Sequence, residues 1–177
     1  MNFRMIAAAA AFALAFVAPV HAEKTTGEHV DDATIAAEVK AKLAAAEDVP
    51  STDVNVEVYK GVVLLSGFVS RQGQKDKAGA AAAQASNVAK VRNEIAVHES
   101  TSMGTKLDDT VLVGKVKTEL AKADDVKSGQ INLEARGGVV QLAGFVTSEA
   151  MKKRALDIAK GVDGVKRVDD ALFVKPE

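Results

Sequence analysis

The chain carries one sequence pattern twice. Residues 31–98 align with residues 108–175 at a constant offset of 77 without a gap, and 25 of the 68 aligned positions are identical. The clearest match is between GVVLLSGFVS at 61–70 and GVVQLAGFVT at 138–147. Solenoid repeats recur every ~20–50 residues, so a repeat of this length indicates a duplicated domain. Whatever fold the chain adopts must therefore be small and must be built twice.

The segment before the first copy is typical of a secretory signal peptide. Arg4 precedes an apolar run from Met5 to Ala18, and Val20-His21-Ala22 supplies small or compact residues before the cleavage position. The apolar run is shorter than the ~20 residues that span a membrane. We therefore expect cleavage after Ala22 and a mature protein outside the cytoplasm.

The duplication also divides the rest of the chain. We expect a signal peptide over 1–22, a flexible tail over 23–30, a first domain over 31–98, a polar linker over 99–107 and a second domain over 108–177. The chain has no cysteine, which excludes disulfides and a lipidated N-terminal cysteine. Its formal net charge of −1 is not that of a polycationic nucleic-acid binder, so we expect no nucleic-acid partner.

Each copy begins with a predicted helix. Apolar residues recur every four positions from Ile35 to Leu43 and from Leu112 to Leu120, which places one apolar stripe along each helix. The pairs Asp31-Asp32 and Asp108-Asp109 stand in front of these stripes, where carboxylates accept hydrogen bonds from free helix N–H groups. We therefore expect both pairs to be helix N-caps rather than an acid–base or metal dyad.

The rest of each copy predicts two strands, a second helix and a third strand. In the first copy the pattern indicates a strand over 54–58, a turn at Lys60-Gly61, a second strand in the phrase GVVLLSGFVS at 61–70, a helix starting after Ser70 and a strand over 88–97. The predicted fold class is α+β, with two tandem αββαβ domains that each place two helices on one face of a small three-stranded mixed sheet. The glycines expected to have structural roles are Gly61, Gly67, Gly138, Gly144 and Gly164.

This ordered set of motifs resembles the BON domain, a small envelope module found in tandem in hyperosmotically inducible periplasmic proteins of Gram-negative bacteria. The resemblance is carried by DDATIAAEVKAKL and DDTVLVGKVKTEL, by the two Gly-Val-Val phrases and by the ending GVKRVDDALFV. The chain departs from the family pattern at Asn87, where the family usually has glycine, and in the Gly/Ala-rich second helix of the first copy.

The resemblance implies a function without catalysis. It implies a periplasmic osmotic-stress protein that needs no cofactor and associates peripherally with anionic phospholipid or a membrane surface. The alternative that it implies is a chaperone that binds unfolded outer-membrane or secreted proteins. The residues themselves show no enzyme site, because none of His21, His29 and His98 recurs in the other copy and no Gly-rich phosphate loop is present.

Basic residues of the second copy form the candidate lipid-binding site. Val113 and Lys117 share a helix face about 100° from the core stripe. Apolar insertion beside lysine charges is what a helix lying on an anionic lipid surface requires. The alternative is an ordinary solvated lysine face. The candidate residues are Val113, Lys115, Lys117, Lys122, Lys152, Lys153 and Arg154.

Phe68 and Phe145 are candidate docking residues. If strand alternation continues through Gly67 and Gly144, both rings are exposed at matching places on the sheet face opposite the helices. Such rings would dock the two copies together or bind a client chain. The alternative is a bulge at each glycine that turns the ring inward.

Overall fold

The computed structural model describes residues 26–99 and 103–176, so the predicted signal peptide lies outside the described residues. The first domain consists of α1 (Thr26–Ala45), β1 (Val54–Tyr59), β2 (Val62–Val69), α2 (Gln72–Ala82), β3 (Lys90–Asn93) and β4 (Ala96–Val97). The second domain consists of α3 (Met103–Ala121), β5 (Asn132–Arg136), β6 (Val139–Val146), α4 (Glu149–Lys160) and β7 (Arg167–Val174). The predicted α+β class, with two tandem αββαβ units, is confirmed.

Both sheets are mixed, with the Gly-Val-Val strand in the centre. β2 pairs antiparallel with β1 and parallel with β3 and β4, and β6 pairs antiparallel with β5 and parallel with β7. The β6–β7 ladder runs without interruption from Val139 to Val146. In the first domain the ladder stops after Leu65 and resumes at Phe68. The third strand, predicted as one element over 88–97, is therefore divided in two.

The helices of each domain cover one face of its sheet. The predicted stripe on α1 is buried against β1, β2 and α2, and the stripe on α3 is buried in the same way in the second domain. Burying a valine or leucine contributes about 1.5–3 kcal/mol, so these stripes hold each helix in place. α2 contributes only small side chains to its core, which are Ala78, Ala81 and Ala82.

Both first helices begin earlier than predicted. α1 begins at Thr26 and α3 at Met103, so the predicted tail over 23–30 and the predicted linker over 99–107 are partly helical. The aspartate pairs therefore lie inside the helices rather than at their starts. The N-cap prediction is wrong, because the polar segments before the pairs continue the helix instead of ending it.

The second aspartate of each pair holds the neighbouring hairpin turn. Asp32 accepts hydrogen bonds from both N–H groups of turn 60–61, at 2.9 Å each, and Asp109 accepts from both N–H groups of turn 137–138, at 2.8 and 2.9 Å. All four turn residues have positive φ, as a two-residue type I′ hairpin requires. That conformation leaves both turn N–H groups outside the strand ladder, and the carboxylate satisfies them.

Two further positions require glycine because another part of the backbone lies close to them. Gly67 and Gly144 have φ values of 110° and 141°, and a Cβ at either position would collide with a backbone carbonyl of the turn before β1 or β5. Asn87 and Gly164 occupy matching left-handed positions before the third strand, with φ values of 59° and 101°. Asparagine tolerates this conformation better than most side chains do.

Candidate functional site

Helix α3 presents apolar side chains to solvent. Leu107 is 71% exposed, and Val111, one turn later, is 58% exposed. Lys115 follows at the same spacing, so the three side chains form one row on the side away from the core stripe. Thr118 and Lys122, the first residue after the helix, are exposed and extend this row. We refer to Leu107, Val111, Lys115, Thr118 and Lys122 as the outer face of α3.

The predicted lipid-binding residues of α3 are divided between two sides of the helix. Lys115 and Lys122 lie on the outer face, and the Lys122 Nζ forms an ion pair with Glu119 at 2.6 Å. Lys117 is exposed on the flank of the helix. Val113 lies on the same flank, half-buried, and lines a groove beside β5. The outer face therefore brings together two of the four predicted α3 residues.

The sequence reasoning missed the two apolar residues of the outer face. Leu107 belonged to the predicted linker, and Val111 was not connected with it because the helix was expected to begin later. The signal was present, since residues four positions apart are neighbours on a helix. Extending the helical pattern backwards through the linker would have found both.

The basic run at 152–154 does not form one exposed cluster. Lys152 is half-buried: its Nζ donates to the carbonyl oxygen of Leu172 at 2.7 Å and pairs with Asp170 at 2.9 Å. Because β7 supplies both partners, Lys152 points towards the sheet rather than into solvent. Lys153 and Arg154 are exposed, and each forms an ion pair with an aspartate, at 2.6 and 3.7 Å.

A groove of about 310 Å³ adjoins the outer face of α3. The hairpin turn 137–138 and the loop before β7 form its other walls. Lys115 and Lys166 line it together with Asp108 and Asp163. Asp109 also lines the groove, so three aspartates accompany the two lysines and the groove by itself does not select an anion. The apolar row beside it is the more distinctive feature.

The second large surface is the domain interface, where the two sheets pack through the faces opposite their helices. Tyr59 lies with its ring 5.6 Å from that of Phe145, and the Arg92 guanidinium lies 4.1 Å from the ring centroid of Phe173. Buried apolar residues of both domains form one cluster here, namely Leu64, Ala143, Phe145 and Ala171, with Tyr59, Val62 and Phe173 packed against it. The sheet faces that the sequence left without a partner thus cover one another.

The predicted docking residues lie between the two domains. Phe145 is 8% exposed within the cluster, and Phe68 is 1% exposed beneath the guanidinium of Arg136, which lies 5.5 Å from its ring centroid. Each ring is covered by groups of the partner domain, so of the two docking roles stated for these residues, contact between the two copies is the one that their position fits. Neither ring is accessible to a client chain in this arrangement.

Gln141 bridges the gap in the sheet of the first domain. Its Oε1 accepts a hydrogen bond from the Gly67 N–H at 2.6 Å, and its Nε2 donates to the Glu94 carbonyl at 2.7 Å. These backbone groups flank the break in the ladder between β2 and the third strand, so the side-chain amide takes the place of a peptide group. Leu64 occupies the matching position in the first domain and cannot make such bonds.

Two glutamates occupy matching places in the domain interface. Glu57 and Glu134 each lie against a glycine of the other domain, and the Asn55 amide donates to Glu134. Burial raises the pKa of Glu57 to about 7, and the nearby charge of Lys175 opposes this rise. Burial also raises the pKa of Glu134, and the hydrogen bond from Asn55 opposes it. The interface therefore holds two carboxyl groups whose charged forms are disfavoured.

Clusters of metal ligands and membrane-spanning helices are both absent from the described ranges, 26–99 and 103–176. Among these residues no three His, Cys, Asp or Glu side chains are placed so that they could hold a metal ion. No helix in the same ranges has the length and apolar character needed to cross a membrane. The features that the structure does offer are the outer face of α3 and the domain interface.

Comparison with known proteins identifies the family. The BON domain matches residues 31–99 and 108–176. The chain is 38% identical over 151 residues to osmotically-inducible protein Y of Escherichia coli (strain K12), covering 84% of this chain and 75% of that protein. It is 29% identical over 146 residues to the 21 kDa hemolysin of Actinobacillus pleuropneumoniae, covering 82% and 75%. It is 37% identical over 75 residues to the outer membrane lipoprotein DolP of Haemophilus influenzae, covering 42% and 39%.

The chain therefore belongs to the BON domain family, as a tandem α+β protein with two copies of the domain. The identity over most of both chains places it, within that family, with osmotically-inducible protein Y. The resemblance drawn from the sequence motifs is confirmed.

Proposed function

We propose that this protein is a non-enzymatic envelope protein of the osmotic-stress response that binds anionic phospholipid peripherally through the outer face of α3. The names of two relatives support the setting, since one is osmotically inducible and another is an outer membrane lipoprotein. The predicted signal peptide, cleaved after Ala22, would deliver the chain to the periplasm. The single observation behind the lipid assignment is the row of exposed apolar and basic side chains on α3.

This row has the composition that binding at a membrane surface needs. Leu107 and Val111 would insert among the acyl chains while Lys115 and Lys122 meet the headgroup phosphates. Inserting the two apolar side chains would contribute about 3 kcal/mol. Each lysine near an anionic surface adds about 1 kcal/mol. The free energy contributed by these four side chains together is sufficient for reversible binding but not for permanent anchoring.

The remaining predicted residues have smaller parts in this proposal. Lys117, Lys153 and Arg154 are exposed on other sides of the second domain and would add only long-range attraction to an anionic surface. Val113 and Lys152 are half-buried and would not reach the lipid. We therefore place the binding site at the outer face of α3.

The first domain provides a natural comparison. Thr34 and Glu38 occupy the positions that correspond to Val111 and Lys115. Glu38 would be repelled by an anionic surface, and threonine inserts less readily than valine. We therefore assign lipid binding to the second domain alone.

Flotation with liposomes tests the proposal. The wild-type chain should float with vesicles that contain phosphatidylglycerol and remain in solution with phosphatidylcholine vesicles. The double variant Val111→Thr, Lys115→Glu carries the residues of the first domain and should bind at least about tenfold more weakly, because both insertion and charge attraction are lost.

The matched control is Lys117→Glu, which changes the net charge by the same amount as Lys115→Glu on the flank of α3. This variant should retain most of the binding. Equal flotation with both kinds of vesicle would contradict the proposal. An equal loss in the Lys117→Glu and Lys115→Glu single variants would also contradict it, because net charge rather than the outer face would then control binding.

A further inference from the structure

A groove of about 550 Å³ lies at the open edge of the first sheet. It is lined by residues 54–57 of β1, by Lys40 and Leu43 of α1, by residues 51–52 and by Asn132 of the second domain. In the described part of the chain, β1 has a strand neighbour on one side only. The four strand residues span about 10 Å at the rise of a β-strand. We refer to this site as the edge groove.

Every second residue of β1 turns its backbone groups towards the open edge. A two-residue type I′ turn joins β1 to β2, so its flanking residues Tyr59 and Val62 form a hydrogen-bonded pair. Hydrogen-bonded and non-hydrogen-bonded pairs alternate along an antiparallel ladder. The N–H and C=O groups of Val54, Val56 and Val58 therefore point away from β2. These are the groups with which an added strand would pair.

The two walls of the edge groove differ in polarity. On the side of α1 the lining includes Leu43, Val54 and Val56, which belong to the core of the first domain or pack against it. On the side of the second domain the lining is Asn132 with Asn55 and Glu57 of β1, and Lys40 is the one charged residue on the side of α1. Successive side chains of an extended chain point to opposite sides. The groove therefore matches a strand in which apolar and polar residues alternate.

We propose that the edge groove binds an extended polypeptide segment with alternating apolar and polar side chains, which adds to the first sheet as a strand beside β1. Main-chain hydrogen bonds give such a site affinity for many sequences. The difference in polarity between the two walls favours segments in which apolar and polar side chains alternate. Both domains contribute to the site through α1 and Asn132. The inference goes beyond lipid binding because it concerns a different surface, formed mainly by the first domain, and a polypeptide rather than a lipid as partner.

The corresponding edge of the second sheet has a different chemistry. The groove along β5 is lined by Lys106, Asp109, Asp53 and Arg136, among other residues. Arg136 pairs with Asp53 at 3.3 Å across the domain boundary. An entering segment would have to separate these charged groups, whereas the edge groove of β1 has no such pair among its lining residues. The site is therefore assigned to the first domain.

Hydrogen exchange of the mature chain, measured residue by residue by NMR, tests the inference. The probe is a short peptide of alternating valine and threonine with a lysine at each end. The control peptide has the same composition with the valines and threonines in separate blocks. With free probe at ten times its Kd, exchange at Val54, Val56 and Val58 should slow about tenfold. Exchange at Leu133 and Ala135, which point outward from β5 by the same alternation, should not change, because the probe does not cover that edge.

Equal slowing at Leu133 and Ala135, no slowing at the three valines, or the same slowing with the control peptide would overturn the inference. Slowing at the three valines without peptide, increasing with protein concentration, would assign the groove to a second copy of this chain and would also overturn it.

Variants separate this site from the lipid site. Val56→Pro removes one outward N–H but leaves the β1–β2 ladder bonds, so it should abolish binding of the labelled probe in fluorescence anisotropy. The Val111→Thr, Lys115→Glu variant should bind the probe as the wild type does. Probe binding that is lost in this variant but kept in Val56→Pro would contradict the assignment. If Val56→Pro does not fold, the exchange pattern of the unmodified chain still decides the question.

Discussion

Leu64 and Gln141 occupy the same position of the repeat, yet they bind the two domains together in different ways. Strand alternation indicates that both side chains point away from the helices, and both are buried in the domain interface. Leu64 packs in the apolar cluster. Gln141 bonds to Gly67 and Glu94 and so fills the break in the other sheet. The difference between leucine and glutamine at this one position therefore gives each domain its own role in the interface.

Replacing Gln141 with leucine, the residue of the first domain, should destabilise the protein. The change leaves the Gly67 N–H and the Glu94 carbonyl without partners at a buried site, and each unpaired group costs about 1–3 kcal/mol. We expect the free energy of unfolding to fall by about 2–4 kcal/mol in urea denaturation. Gln84→Leu, at an exposed glutamine, should change it by less than about 0.5 kcal/mol. An unchanged value for Gln141→Leu would mean that the bridge is not needed.

At the scale of elements, the connection between the first helix and the hairpin recurs in both domains. Asp32 and Asp109 each satisfy two N–H groups of a type I′ turn, which fixes the hairpin against the helix. The sequence indicated that these aspartates accept hydrogen bonds from backbone N–H groups. It did not indicate which N–H groups, because the turn lies 28 and 29 positions further along the chain.

Removing the Asp109 carboxylate should lower the free energy of unfolding more than removing that of the neighbouring Asp108. Asp109 is 6% exposed, so Asp109→Ala leaves two turn N–H groups without an acceptor, and we expect a loss of about 2–3 kcal/mol in the free energy of unfolding. Asp108 is exposed, and Asp108→Ala should change it by less than about 0.5 kcal/mol. Chemical denaturation compares the two. Equal losses would support the N-cap role that the structure does not show.

Local periodicity was sufficient to predict the order and type of the elements. Helix stripes, strand alternation and turn glycines depend on neighbours in the sequence, so the αββαβ pattern follows from them. The division of the third strand at residues 94–95 could not be predicted, because the side chain that bonds to the backbone at this break comes from the other domain. Local patterning placed Phe68 and Phe145 on the sheet face opposite the helices. It left open whether the other domain or a client chain covers them, because that depends on contacts between residues distant in the sequence.

At the scale of the whole molecule, the two domains form one unit that buries polar as well as apolar groups. Glu57 and Glu134 occupy equivalent positions on opposite sides of the domain interface. Each carboxyl group loses part of its hydration when the domains pack, and this burial raises both pKa values. Packing of the domains is therefore linked to proton binding.

The stability of the protein should consequently increase as the pH falls from about 8 to about 5. In the unfolded chain Glu57 has an ordinary pKa of 4.5, whereas burial raises it to about 7 in the folded protein. Between these values the folded state holds more protons, so the free energy of unfolding decreases as pH rises through this window. Because Glu57 is partly exposed, we expect a change of roughly 1–2 kcal/mol rather than the full value of the shift.

Urea denaturation at a series of pH values would measure this change, with Glu57→Gln as the decisive variant. A glutamine does not titrate and has no charge to bury, so the variant should lose much of the slope between pH 5 and pH 8 and be more stable than the wild type at pH 8. Glu47→Gln changes an exposed glutamate of the same domain and should keep the wild-type slope. Parallel curves for the wild type and Glu57→Gln would contradict the link, because other groups would then control the pH dependence.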